Sequence, residues 1–262
     1  MRNVSVHNAW LNGIALSSVD ASIIVRPATE DMSNASLTYM VNAGRSGRRI
    51  AKYLRESKVI RVRFSIKGLY NLSERARIID AVNAWAYSGG VLQISSRLGQ
   101  QINVTCIKYA VTGEMMRPAE VYELEFEANV CPYWEAADRT RITITGTSES
   151  GQMTIPGARP TTLEVIATPA TEALTSLTVS VSSAIGVSTI SLTGLNVAAE
   201  TALTIGYDAN GFLTIAAGNT SLLDKRSAAS SDELLASPGT VTVTVTANTE
   251  VSAEIRTRGR WL

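Results

Sequence analysis

The feature that most limits what this chain can fold into is a strict alternation of apolar and hydroxyl-bearing residues in its C-terminal half. Leu177-Thr178-Val179-Ser180-Val181 and Val241-Thr242-Val243-Thr244-Val245 switch character at every residue. A period of two puts the valines on one face of a strand and the threonines and serines on the other, whereas a helix would scatter them around its circumference. Between such runs stand turn signals: Ser150-Gly151, Pro156-Gly157, Asp208 with Asn210-Gly211, Gly218-Asn219 and Pro238-Gly239. Turn residues recurring about every ten positions are the pattern of a β-sandwich. Asn210-Gly211 is the clearest hairpin, lying between Leu203-Thr204-Ile205 and Phe212-Leu213-Thr214-Ile215, and Phe212 is expected in the core beside it. Residues 139–262 therefore read as an antiparallel β-sandwich.

Composition changes near residue 138. The stretch before it carries 16 Lys and Arg against 13 Asp and Glu, and the stretch after it 8 against 10. With 262 residues, two domains are expected, 1–138 and 139–262. The first is also mainly strand, with candidates at 59–66, 91–94, 102–107 and 121–127. It contains one helix, predicted over 71–87. Leu72, Ala76, Ile79, Val82 and Ala86 recur at three and four, which makes one apolar stripe. Asn71 or Ser73 can cap its start, Glu74 complements the positive end, and Ser88-Gly89-Gly90 stops it. Trp85, near the helix end, is expected to be a packing residue.

Chemistry-bearing constellations are scarce. His7 is the one histidine, and Cys106 and Cys131 are too far apart for a metal-binding pair. Both cysteines read as reduced thiols on or beside strands. Glu123, Glu125 and Glu127 share one face of a strand, which is the pattern of solvated charge; a carboxylate pair for glycoside hydrolysis must face across a cleft. Gly44-Arg45-Ser46-Gly47 lacks the spacing of a phosphate-binding loop. No catalytic residue, metal or cofactor is expected. A formal net charge of +1 argues against a protein that coats nucleic acid. The N-terminal stretch lacks the apolar run of a signal peptide, and no segment has the length to span a bilayer. Synthesis and retention in a cytosol are expected, with no membrane insertion.

One segment breaks the charge balance. From Arg45 to Arg63 there are eight basic residues, Arg45, Arg48, Arg49, Lys52, Arg55, Lys58, Arg61 and Arg63, against the single acid Glu56. Solubilising charge normally mixes signs. Besides a solvated loop and edge strand, the segment fits a contact with an acidic partner, a neighbouring subunit, or the wall of a lumen through which DNA passes without specific binding.

The order of these landmarks resembles the distal tail protein family of long-tailed, non-contractile phages. The matching pieces are Gly44-Arg45-Ser46-Gly47, the basic-apolar strand Ile60 to Ile66, the helix through Trp85 to Gly89-Gly90, the strand Tyr122-Glu123-Leu124-Glu125-Phe126-Glu127, and the junction Val130-Cys131-Pro132-Tyr133-Trp134. The family usually carries an acidic residue where Ser46 and Cys131 stand. In the second half, Gly151, Pro160, Gly206-Tyr207-Asp208, Pro238-Gly239-Thr240 and the ending Ile255-Arg256-Thr257-Arg258-Gly259-Arg260-Trp261-Leu262 are similar to the family's galectin-like domain. The resemblance implies an N-terminal β-sandwich or split-barrel domain with one helix, followed by a galectin-like antiparallel β-sandwich. It further implies a structural, non-enzymatic virion protein of the tail tip, assembled in the host cytoplasm. Such a protein forms a homo-oligomeric ring, usually a hexamer, between the tail tube protein and the tail-associated hub protein. The alternative is a carbohydrate-binding or receptor-binding module, for which the second half offers only Tyr207, Phe212 and Trp261 as aromatic platforms.

Overall fold

The computed structural model describes residues 7–31, 35–41, 48–55, 57–68, 71–110, 121–128, 131–208 and 210–262, with the backbone alone at 35–41 and 48–55. The chain is mainly β, with one α-helix among the described residues, and it divides into two compact units, Met1–Trp134 and Glu135–Leu262, just before the compositional change.

In the first unit the strands are β1 (Ala9–Leu11), β2 (Ile14–Ala15), β3 (Ile23–Val25), β4 (Thr29–Asp31), β5 (Ala35–Val41), β6 (Arg48–Arg55) and β7 (Lys58–Ile66). The helix α1 (Leu72–Tyr87) follows, then β8 (Gly90–Ile94), β9 (Gln100–Lys108) and β10 (Tyr122–Ala128). An antiparallel path runs β2-β1-β8-β9-β10-β7-β3, and β4 also pairs with β7. Alternation decides which side of each strand is covered: Ile60, Val62 and Phe64 of β7 and Leu124 and Phe126 of β10 are fully buried, while Arg61, Arg63, Glu123 and Glu125 stand between them on the other face. The strands β5 and β6 form a separate two-stranded sheet that pairs with no other described strand.

Helix α1 starts where the sequence places it. Asn71 is the N-cap, its side-chain oxygen accepting from the Ser73 N–H at 2.9 Å, with Glu74 in the first turn. The buried stripe is Arg75, Ile78, Ile79, Val82 and Ala86. That corrects the predicted one at two positions: Leu72 is exposed and Ala76 half-buried, because burial begins one turn after the cap, at Arg75. Gly89 ends the helix for two reasons at once. Its φ is +58°, and a Cβ there would lie 2.5 Å from the Val104 carbonyl oxygen.

The strand β11 (Trp134–Ala136) spans the division. The second unit continues with β12 (Thr140–Ile155), β13 (Thr161–Thr162), β14 (Glu164–Pro169), β15 (Leu174–Ser183), β16 (Gly186–Val197), β17 (Leu203–Tyr207), β18 (Leu213–Ala217), β19 (Thr220–Ser221), β20 (Leu235–Ala236), β21 (Gly239–Thr257) and β22 (Arg260–Trp261). Eight strands form one antiparallel sheet in the order β16-β15-β21-β14-β17-β18-β19, with β12 also on β21. The long pair β12 and β21 curls it. Residues 242–247 of β21 pair with β15 and residues 251–256 with β14, and the β12 register slips between Gly146 and Ser148. The apolar residues of both halves, among them Val179, Val181, Ile190, Val243, Val165, Ala253 and Ile255, close on one core. Each valine or isoleucine among them, fully buried, contributes about 1.5–3 kcal/mol.

Two expectations are corrected here. Ser150-Gly151 is not a turn but mid-strand, opposite Thr244 and Val243. The glycine is there for space: a Cβ would come within 3.1–3.2 Å of Ile142 and Ile144, residues of the same strand beyond its bend. Between β17 and β18 the hairpin forms, but with a longer loop than an Asn-Gly turn. The Asp208 carboxylate accepts from the N–H groups of Asn210 and Phe212 at 2.8 and 2.9 Å. Phe212 thereby falls in the loop and is 70% exposed, not in the core.

Candidate functional site

The basic segment is divided by the fold. Arg45 lies outside the described residues; Arg48, Arg49, Lys52 and Arg55 fall on β6, and Lys58, Arg61 and Arg63 on β7. Strand register sets what the last three meet. Arg63 is opposite Glu123 and Arg61 opposite Glu125. Each guanidinium reaches its cross-strand carboxylate, Arg63 Nε to Glu123 at 2.7 Å and Arg61 Nε to Glu125 at 3.2 Å. Asp31 of β4 also bonds Arg61, and Lys108 of β9 reaches Glu125 at 3.1 Å and Glu123 at 3.8 Å. The glutamates expected to be merely solvated are thus members of an ionic ladder, with Glu127 further along the same strand opposite Val59. The Lys108 hydrogen bond first, and after it that of Arg61, hold the Glu125 carboxyl below the usual carboxylate range against the opposing effect of desolvation. Asp31 and Glu125 in turn raise Arg61 further.

Lys58 enters a different cluster, one that nothing in the local sequence signals. The Glu30 carboxylate accepts from Arg97 at 2.7 and 3.0 Å, from Lys58 at 2.9 Å and from the indole Nε1–H of Trp134 at 2.9 Å. Trp134 is fully buried, and the Lys58 and Arg97 charges stand 5.6 and 5.4 Å from its ring centre. Burial alone would raise the Glu30 pKa; the Arg97, Lys58 and Trp134 hydrogen bonds outweigh it and leave the carboxyl below its ordinary value. Residues 104 apart in sequence meet here, so no spacing rule could have found them.

Trp85 is a packing residue with a polar handle. Its ring meets Phe126 edge-on at 6.2 Å, and its Nε1–H donates to the Ile14 carbonyl at 3.0 Å. Close by in sequence, Asn83, Ala84, Tyr87 and Tyr109 line a shallow apolar hollow of about 440 Å³. Tyr87 and Tyr109 stack at 6.5 Å, and the Asn83 amide bonds the backbone N–H and C=O of Ala110.

The groups considered for chemistry are not gathered. His7 lies ahead of β1, exposed. Cys106 is buried on β9 and Cys131 half-buried, both free thiols; burial pushes the Cys106 thiol up, away from the reactive thiolate. Among the described residues no group of three His, Cys, Asp or Glu could hold a metal ion, and no helix is long and apolar enough to cross a membrane. Of the three aromatic residues of the second unit, Tyr207 is pushed up to about 12 by burial while its hydroxyl accepts from the Leu234 N–H at 3.0 Å. Trp261 is half-buried on β22, and Phe212 alone is well exposed.

No protein-family model matches the sequence, and no curated protein matches it. The fold is nevertheless one already seen in phage tail machinery. The crystal structure of the Dit protein (gp 19.1) of SPP1, described as a paradigm of the hub adsorption apparatus in phages infecting Gram-positive bacteria, superimposes with a TM-score of 0.67. It covers 98% of this chain and 99% of its own, at 13% identity. Chains of the phage p2 baseplate in its activated conformation, with strontium or calcium, match at TM-scores of 0.49 and 0.48 with 9% identity, covering 96–97% of this chain and 97–98% of theirs. This chain shares its fold with the SPP1 protein.

Proposed function

We propose that this chain is a structural subunit of the tip of a long, non-contractile phage tail. In this reading it closes into a ring, hexameric in the family it resembles, at the distal end of the tail tube, and joins the tube to the hub and adsorption apparatus. The observation that carries the reading is the end-to-end likeness to the SPP1 Dit protein, 98% of one chain against 99% of the other. A fold alone does not assign a function. Here it coincides with the independent order of sequence landmarks, and no constellation for catalysis assembles among the described residues.

Charge sharpens which part would face a neighbour or a lumen. Lys58, Arg61 and Arg63 meet carboxylates of their own chain. Residues 35–55, which contain the hairpin β5–β6, hold Arg45, Arg48, Arg49, Lys52 and Arg55 and no acidic residue. The contact or lumen role therefore rests on the hairpin. Electron microscopy of the purified protein is expected to show closed rings with a central hole, the outcome of a head-to-tail interface whose rotation closes. A strict monomer at every concentration would overturn the reading. Reversing charge at Arg48 and Arg49 separates its two forms: ring assembly survives if these arginines line a lumen for DNA and fails if they join subunits.

The carbohydrate-binding reading gains one observation, the exposed Phe212 on the loop closed by Asp208. Glycan-array binding that is lost in Phe212→Ala would establish it.

A further inference from the structure

Strand β16 lies at an edge of the second unit's sheet, and its sequence, Gly186 to Val197, contains neither a charge nor a proline. An edge strand offers unpaired N–H and C=O groups to any other strand, and a long, alternating, uncharged one is a template for pairing with its own copy. Antiparallel pairing of two such edges would be self-complementary, which makes a second copy of this chain the natural occupant.

Something else occupies that edge. Residues 226–231 run along β16 and copy the hydrogen bonds of a strand without being one. Ser227 and Ser231 N–H groups donate to the carbonyls of Ser191 and Thr189 at 2.9 and 2.7 Å. The return bonds come from side chains: the Thr189 N–H donates to Ser231 Oγ at 2.9 Å and the Ser191 N–H to Ser230 Oγ at 3.0 Å. Ser230 Oγ also donates to the Ser191 carbonyl at 3.2 Å, so one hydroxyl serves as acceptor and donor for the same residue. Further on, Ser188 Oγ accepts from the Leu235 N–H and donates to the Leu235 carbonyl. The segment is fastened beyond its serines by Leu234 and Ala236, both fully buried, while Ala228 and Ala229 are exposed and bury nothing.

We propose that residues 226–231 are an edge guard, a serine strap that occupies the β16 edge so that it cannot pair with β16 of a second copy. Hydroxyls suit this task because they satisfy the edge groups while exposing no complete row of amides to a third strand. The strap's cover is polar and local, so removing two hydroxyls frees the Thr189 and Ser191 N–H groups and loosens the strap, now held to the edge by the Ser227 and Ser231 N–H groups, without touching the core.

The test uses the full chain with Ser230→Ala and Ser231→Ala together. Hydrogen exchange at the Thr189 and Ser191 amides is expected to speed up on the order of tenfold, the equivalent of one or two net hydrogen bonds. Sedimentation velocity is expected to show a concentration-dependent species of twice the native particle mass. Adding Val187→Lys, a charge on the uncovered edge, is expected to abolish that species and leave the faster exchange. Unchanged exchange, or native particle size at all concentrations with faster exchange, would overturn the proposal. Should the double alanine variant fail to fold, the native protein still decides: Thr189 and Ser191 amides that exchange as freely as those of the exposed Ala228 and Ala229 would show that the strap guards nothing.

Discussion

The two units present wet sheet faces of opposite chemistry. In the first, β7, β9 and β10 carry Arg61, Arg63, Lys108, Glu123 and Glu125, joined by Asp31 of β4. In the second, the stretch over residues 148–150 of β12, 244–246 of β21, β15 and β16 is a lattice of hydroxyls, while Arg141, Glu254 and Arg256 pair on the other half of β12 and β21. Ser150 and Thr244 meet at 2.8 Å and Ser180 and Thr189 at 3.0 Å, and the strand register places Thr244 beside Ser180 to complete the row. A second row runs Ser148, Thr246, Thr178 and Ser191. Both arrangements satisfy a solvated face, but covering the charged one would strip water from ions, which costs more than covering hydroxyls. A neutral face needs its edge defended by other means, and in this molecule the serine strap stands at that edge.

Breaking the first unit at its most buried polar point should have the largest effect. Trp134→Ala is expected to cost about 3–5 kcal/mol in denaturant unfolding, since it empties a fully buried site and deprives Glu30 of a donor. The second unit's core contains no Trp134 atom and should keep its own transition. Next, Glu30→Gln takes the Glu30 charge away from the Lys58 side chain, 5% exposed, for an expected loss of about 2–3 kcal/mol. The same group sets an acid limit. Its folded pKa lies below the ordinary 4.5, so its stabilisation is complete above that pH and disappears as the pH falls through the lowered value. Native protein should therefore lose stability between those two points, and Glu30→Gln should show less of that loss.

A smaller effect is expected at the helix. Trp85→Phe keeps the edge contact with Phe126 but loses the bond to the Ile14 carbonyl, about 1 kcal/mol. The smallest effects sharpen the comparison of faces most. A double-mutant cycle on Arg63 and Glu123 should give about 0.2–1 kcal/mol, shrinking as salt is raised. The equivalent cycle on Ser180 and Thr189 should not respond to salt, because neither partner is charged. A salt-sensitive hydroxyl pair, or an ion pair indifferent to salt, would remove the distinction between the faces.

Local pattern accounts for what was legible beforehand. The helix over 71–87, the strand over 59–66 and the alternating faces of β15 and β21 follow from periodicity and capping, which act over a few residues; the structure chose Asn71 over Ser73 as the cap and began the strand at Lys58. Misplaced residues are those whose surroundings come from afar. Gly151 looked like a turn because glycine in a sequence signals backbone freedom; only the bend of β12, which brings Ile142 and Ile144 over it, shows that it supplies space. An Asn-Gly pair suggests a two-residue turn with Phe212 in the core, but the loop closed by the Asp208 carboxylate extends past Phe212.

By itself, the sequence determined that this protein is mainly β, where its one helix begins and ends, and that positive charge concentrates before residue 63, since composition and period are properties of neighbours. The tertiary structure decided which charges are neutralised. Opposite signs attract at any sequence separation once strand register brings them within about 3 Å. Arg61 and Arg63 found Glu125 and Glu123, Lys58 found Glu30 beneath Trp134, and Ser230 and Ser231 found the open edge of β16.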